Sequence, residues 1–101
     1  NSTTKVKELI VHPGKSLSWQ KHQHRSEVWF VREGVATIYF STDSAGNDVI
    51  KTTKGKHQTH TLFSDRWHQL VNETDKELSI IEIQYGTKCL ESDIVRSPRP
   101  S

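Results

Sequence analysis

His22, His24, Glu27 and His68 are the side chains whose types and spacing suit shared chemistry, since three imidazoles and a carboxylate lie in two short segments. Such a donor set suits Zn, Mn, Fe, Co or Ni better than Ca or Mg, and four protein ligands leave coordination positions open. His22 and His24 are alternate residues of strand-like sequence. A period of two therefore puts both on one face, about 6.5 to 7 Å apart along the backbone. That separation suits two ligands of one ion with N–metal distances of about 2.1 Å. Glu27 has the opposite parity to His24, so a bend or bulge at Arg25-Ser26 is needed to bring it onto that face. His68 must arrive from another strand. A polar chain with six histidines also carries such pairs as plain surface residues. The glutamate inside strand sequence, with the Gly34 turn behind it, favours the metal.

Short β-strands must position these groups. Branched and aromatic residues predict strands over 5–12, 16–24, 28–31, 35–40, 49–53, 60–63, 67–71 and 78–85. Pro13-Gly14, Arg32-Glu33-Gly34, the loop 41–48, Lys54-Gly55-Lys56, Ser64-Asp65-Arg66, the polar turn 72–76 and Gly86 separate them. Residues 89–95 read as one helical turn with Glu91, Ser92 and Asp93 near its start, while 1–4 and 97–101 read as flexible ends around a domain at 5–96. Regular short strands with almost no helix imply an all-β antiparallel sandwich or barrel. Trp19, Trp29 and Trp67 are expected to fill its core. His12, His57 and His60 are expected in turns or on the surface, and Cys89 is expected to be inert. Glu82 and Gln84 share one strand face with Ile80. Two polar groups on an inner face are costly unless they serve a ligand, and unremarkable if that face meets water.

Composition narrows the partners. The chain has 101 residues, 32% hydrophobic, with a formal net charge of +2, and its mean hydropathy is −0.72. It reads as one domain with a thin core, which a metal or a second copy would help to hold. The small, scattered positive charge argues against nucleic acid, and no apolar run approaches the roughly 20 residues of a membrane span. A lone Cys89 excludes an internal disulfide, and a reducing, cytoplasmic setting is expected.

Gly14, His22-x-His24-x-x-Glu27 and Gly34 together resemble the first motif of the cupin family, and His68-x-x-x-Asn72 resembles the end of the second. Gln20-x-His22-x-His24-Arg25-x-Glu27-x-Trp29, Ile81-Glu82-Ile83-Gln84-x-Gly86 and Asp93-Ile94-Val95-Arg96 narrow this to the cupin domain of type II mannose-6-phosphate isomerases. The resemblance covers residues 6–96. Val28 stands where that family has a histidine, Phe63-Ser64-Asp65 where it has Pro-x-Gly, and 97–101 where it has an aromatic and acidic tail. The resemblance implies a small antiparallel jelly-roll β-barrel with one divalent metal on His22, His24, Glu27 and His68. It also implies aldose–ketose isomerisation of a sugar phosphate, with Glu82 and Gln84 in catalysis and Arg96, Arg25 and Gln20 binding the substrate. The alternatives are a non-catalytic sugar- or sugar-phosphate-binding cupin and an Fe(II)-dependent cupin oxygenase. A homodimer paired through edge strands is expected.

Overall fold

The structure, a computed structural model, describes residues 3–87, 89–90 and 92–100. Asn1, Ser2, Glu91 and Ser101, expected in the flexible ends and the helical turn, lie outside those residues. The strands are β1 (Thr3–Val11), β2 (Trp19–Lys21), β3 (Arg25–Glu33), β4 (Ala36–Ser41), β5 (Val49–Lys54), β6 (Thr59–Leu62), β7 (His68–Val71), β8 (Leu78–Gly86) and β9 (Val95–Ser97). They form two antiparallel sheets, ordered β1-β8-β3-β6 and β5-β4-β7-β2-β9. These are the two walls of the expected jelly roll, and no ladder joins one wall to the other among the described residues.

Inward side chains explain why the wall strands alternate. β3 buries Arg25, Glu27, Trp29 and Val31, and β8 buries Leu78, Ile80, Glu82 and Gln84. Directly opposed residues of an antiparallel pair share a face. The register sets Lys5, Gln84 and Glu27 in one row, Lys7, Glu82 and Trp29 in the next, and Leu9, Ile80 and Val31 in a third. The inner face of this wall thus changes from apolar to polar at the same level on all three strands. Val11, Trp29, Val31, Ala36, Ile38, Leu62, Leu70, Leu78 and Ile80 form the apolar floor, and the polar end above it is where a site can be built.

Several expectations change. Thr3 and Thr4 are not frayed, because they pair with Gly86 and Tyr85. The 89–95 segment forms no helix among its described residues, and Val95 instead begins β9. Arg99 donates to Gln69 Oε1 at 2.7 Å, and its guanidinium lies 3.6 Å from the Tyr39 ring centroid. Trp19 and Trp67 are buried but stand apart from the apolar floor. They stack on each other at 5.8 Å, against Gly46 of the β4–β5 loop, where an added Cβ would lie 2.6 Å from the Trp67 ring. Asn72, matched to a cupin motif, braces a turn: its Nδ2 donates to the carbonyls of Val11 and Lys76, and its Oδ1 accepts from Thr74.

Candidate metal centre

His22, Glu27 and His68 converge, with one donor atom from each lying within 4.8 Å of the others. His22 Nε2 is 3.5 Å from Glu27 Oε2, and His68 Nε2 is 3.6 Å from Glu27 Oε1. All three are buried. The other ring nitrogen of each histidine faces a backbone carbonyl. His22 Nδ1 donates to Asp93 O, and His68 Nδ1 to Arg66 O at 3.3 Å. That arrangement leaves both Nε2 lone pairs aimed inward, as metal-ligating histidines require. His68 Nε2 is buried without a hydrogen-bond partner, which is the kind of orphan a metal satisfies. Two imidazoles and one carboxylate with open positions suit a transition metal, so the residues fit such an ion.

His24 does not join them. It is exposed, and the expected strand over 16–24 is formed only at Trp19–Lys21. The chain bends at Gln23 and His24, where the Asp93 carboxylate accepts both backbone N–H groups at 3.1 and 2.9 Å. Period-two parity therefore stops before His24, which is turned outside. The same bend brings in Glu27 without a bulge at Arg25-Ser26; the register shift in β3 falls at Val31–Glu33 instead. Gly86 holds the bend in place. A Cβ there would lie 2.5 Å from His24 O and 2.8 Å from the Arg25 Cα.

Arg25 takes the inward place that sequence parity assigned to a ligand. It is buried and ion-pairs with Glu27 at 3.0 Å. Strand alternation in β3 points Arg25 inside, beside the candidate ligands. Burial, then the neighbouring Glu82 carboxylate, pushes the Glu27 carboxyl up to about 8, against the pull of Arg25. Burial and the nearby His22 ring hold His68 down to about 3, and burial also lowers His22. Both imidazoles are thus neutral and available as ligands.

Glu82 and Gln84 face inward beside this cluster. Glu82 accepts from Trp29 Nε1 at 2.9 Å and Gln84 Nε2 at 2.8 Å, and Lys7 Nζ lies 3.7 Å away. Burial raises the Glu82 carboxyl, but hydrogen bonds from Gln84, Trp29 and Glu27 outweigh it and hold Glu82 below its ordinary range. Gln84 Oε1 is buried without a partner. Gln20 opposes both His68 and Arg96, so their side chains share one sheet face. Arg96 is exposed on β9, at the edge of the wall.

The sequence reading passed over Lys5 and Lys7, which lie on the inner face of edge strand β1 in the rows of Gln84 and Glu82. Their alternation with Val6 was visible, but nothing local showed that the lysine face is the inner one. Asp93, which fixes His22 and the bend, was read only as a motif match. The Phe63-Ser64-Asp65 turn still presents His68: Asp65 takes a positive φ of 58° and its N–H donates to His22 O at 2.6 Å. His60, expected in a loop or on the surface, sits on β6 and lines a cleft of about 490 Å³ with Phe40, Leu62, Phe63 and Trp67. His57 and His12 are exposed.

The chain matches the family described as mannose-6-phosphate isomerase C-terminal over residues 1–98. It is 36% identical over 91 residues to the xanthan biosynthesis protein XanB of Xanthomonas campestris, covering 90% of this chain and 18% of that protein. It is 33% identical over 96 residues to a mannose-1-phosphate guanylyltransferase of Salmonella muenchen, covering 95% of this chain and 19% of that protein. The chain therefore spans less than a fifth of the length of these relatives. Oxalate oxidase in complex with glycolate superposes with a TM-score of 0.80 at 15% identity, over 92% of this chain and 45% of that one. The capsular polysaccharide assembling protein CapF of Staphylococcus aureus gives 0.80 at 17% identity, over 93% of this chain and 28% of that one. Those two share its fold. With a cupin fold and a family match running nearly end to end, the chain belongs to the mannose-6-phosphate isomerase C-terminal family.

Proposed function

We propose that this domain binds one divalent transition metal through His22, Glu27 and His68 and isomerises a hexose phosphate between aldose and ketose forms. The observation that carries the reading is the meeting of two inward Nε2 lone pairs and one carboxylate, one of the imidazoles being an orphan, at the polar end of an apolar barrel. A bound metal would supply polarisation of the sugar oxygens. The rest falls to the chain. Glu82, held below the ordinary carboxylate range, is the base that moves a proton between adjacent carbons. The free Gln84 Oε1 accepts a sugar hydroxyl. Arg96, sharing a face with Gln20 and His68, anchors the phosphate from the rim.

The test is conversion of mannose 6-phosphate to fructose 6-phosphate by protein loaded in turn with Zn, Mn, Fe, Co or Ni. Glu27→Gln and His68→Ala should lose both metal and turnover. Glu82→Gln should keep the metal and lose turnover. Full activity in Glu82→Gln refutes its role as the base. A second reading, a sugar-phosphate-binding module without turnover, draws support from the Arg25 guanidinium on two of the three donor residues. It stands if mannose 6-phosphate binds and no metal gives conversion.

A further inference from the structure

Arg25 lies inside the donor cluster and uses the lone pairs that a metal needs. Its Nε donates to Glu27 Oε2 at 3.0 Å and its Nη2 to His22 Nε2 at 3.1 Å. Nη1 donates to the Leu90 carbonyl at 3.2 Å. Of the three candidate ligands, only His68 is left with an unpartnered Nε2. His22 Nε2 has a single lone pair, so it cannot serve a guanidinium and a metal ion together. Two cations held by the same donors also repel strongly in a partly desolvated site. Occupancy by one excludes the other.

We propose that Arg25 is a resident counter-ion that competes with the metal, closing the cluster in the metal-free state and swinging out when an ion enters. This rests on His22, Glu27 and His68 being the ligands. The competition reaches beyond the cluster, because one loop holds both contestants. Leu90 O receives Arg25, while Asp93 O receives His22 and the Asp93 carboxylate receives the N–H groups of Gln23 and His24. Entry of an ion removes the tether at Leu90 and leaves the one at Asp93 in place. Metal affinity is thereby linked to the conformation of the loop between β8 and β9. Anything that presses Leu90 towards Arg25 weakens metal binding, and anything that draws it away strengthens it.

The test uses apo-protein titrated with Co(II), read by visible absorption, and with Zn(II), read by competition with a chromophoric chelator. Arg25→Gln removes the competing charge and should bind both ions about tenfold more tightly or better, with Arg25→Lys between it and the natural protein. Truncating one member of a buried ion pair also weakens a fold, so the natural protein supplies a second measurement. Its Leu90 amide resonance should move on saturation with Zn(II), towards its position in metal-free Arg25→Gln where that variant folds. Unchanged or weaker binding in a folded Arg25→Gln overturns the proposal, as does a Leu90 resonance indifferent to Zn(II). Should Arg25→Gln fail to fold, the natural protein's Leu90 response decides. If neither protein binds an ion, the ligand assignment fails and takes the proposal with it. If Arg25→Gln alone binds, the competition is upheld and the metal-dependent reading of the natural chain falls.

Discussion

Replacing Gly86 with alanine should damage the fold and the metal centre together, and Gly14→Ala provides the matched control. Both glycines have φ in the region that L residues avoid, +155° at Gly86 and +73° at Gly14. That conformation alone costs an alanine roughly 1 to 2 kcal/mol. The surroundings differ. Nothing lies within 4 Å of a Cβ at Gly14, whereas at Gly86 the new atom meets His24 O at 2.5 Å and the Arg25 Cα at 2.8 Å. Both are backbone atoms, so no side chain can rotate away, and overpacking of this kind costs about 1 to 3 kcal/mol more. The expected totals are about 1 to 2 kcal/mol for Gly14→Ala and about 2 to 5 for Gly86→Ala. For a domain of this size each kcal/mol lowers Tm by roughly 4 to 8 °C. Urea denaturation of both variants, with Zn(II) titration of each folded form, measures the difference. The displaced backbone lies between His22 and Glu27, so Gly86→Ala should also bind Zn(II) more weakly while Gly14→Ala should not. Equal stabilities for the two variants would refute the close approach as the device that sets the bend.

Stability of the metal-free protein should depend on pH with two opposed slopes. Glu27, raised to about 8 from an ordinary 4.5, binds more protons folded than unfolded, so stability falls as pH rises between those values. His68, lowered to about 3 from 6.5, binds fewer when folded, so stability rises with pH across that range. The two cancel from 4.5 to 6.5, giving a plateau with losses on either side, to be read by denaturant unfolding at stepped pH. A monotonic profile contradicts the assignment. Saturating metal should abolish the alkaline loss, because the ion replaces the proton on Glu27. Arg96→Ala should weaken mannose 6-phosphate binding in calorimetry while leaving Zn(II) affinity unchanged. Equal affinity for the sugar phosphate removes Arg96 from the anion site.

The eight runs were legible because each alternates or bunches branched residues between turn formers, and each contains a strand, although 16–24 keeps only Trp19–Lys21. β9 was missed because three exposed residues, Val95, Arg96 and Ser97, carry no burial pattern; only pairing with β2 makes them a strand. The site was legible in its residue types but not in its parity. His22 and His24 look equivalent on a continuous strand, and what separates them is Asp93, 70 and 69 positions from the two amides of the bend that it caps. That Arg25 points inward shows only once β3 is paired with β8 and its alternation is fixed by Glu27 and Trp29. Long-range pairing decided what local pattern could not.

The three tryptophans have a consequence for watching this protein in solution. Trp29 meets the His68 ring edge-on at 5.4 Å and shares its indole N–H with Glu82. Trp19 stands on the opposite face of its sheet from Gln20 and His68, stacked on Trp67 at 11° with Lys21 Nζ 5.2 Å above the Trp67 ring. The chromophores are therefore divided between two surroundings, Trp29 against His68 and Trp19 against Trp67. A change in emission from Trp29 reports events at the imidazoles, while the exciton couplet of the stacked pair in circular dichroism reports the closure of the β4–β5 loop. Unlabelled protein carries two optical channels, one for each wall.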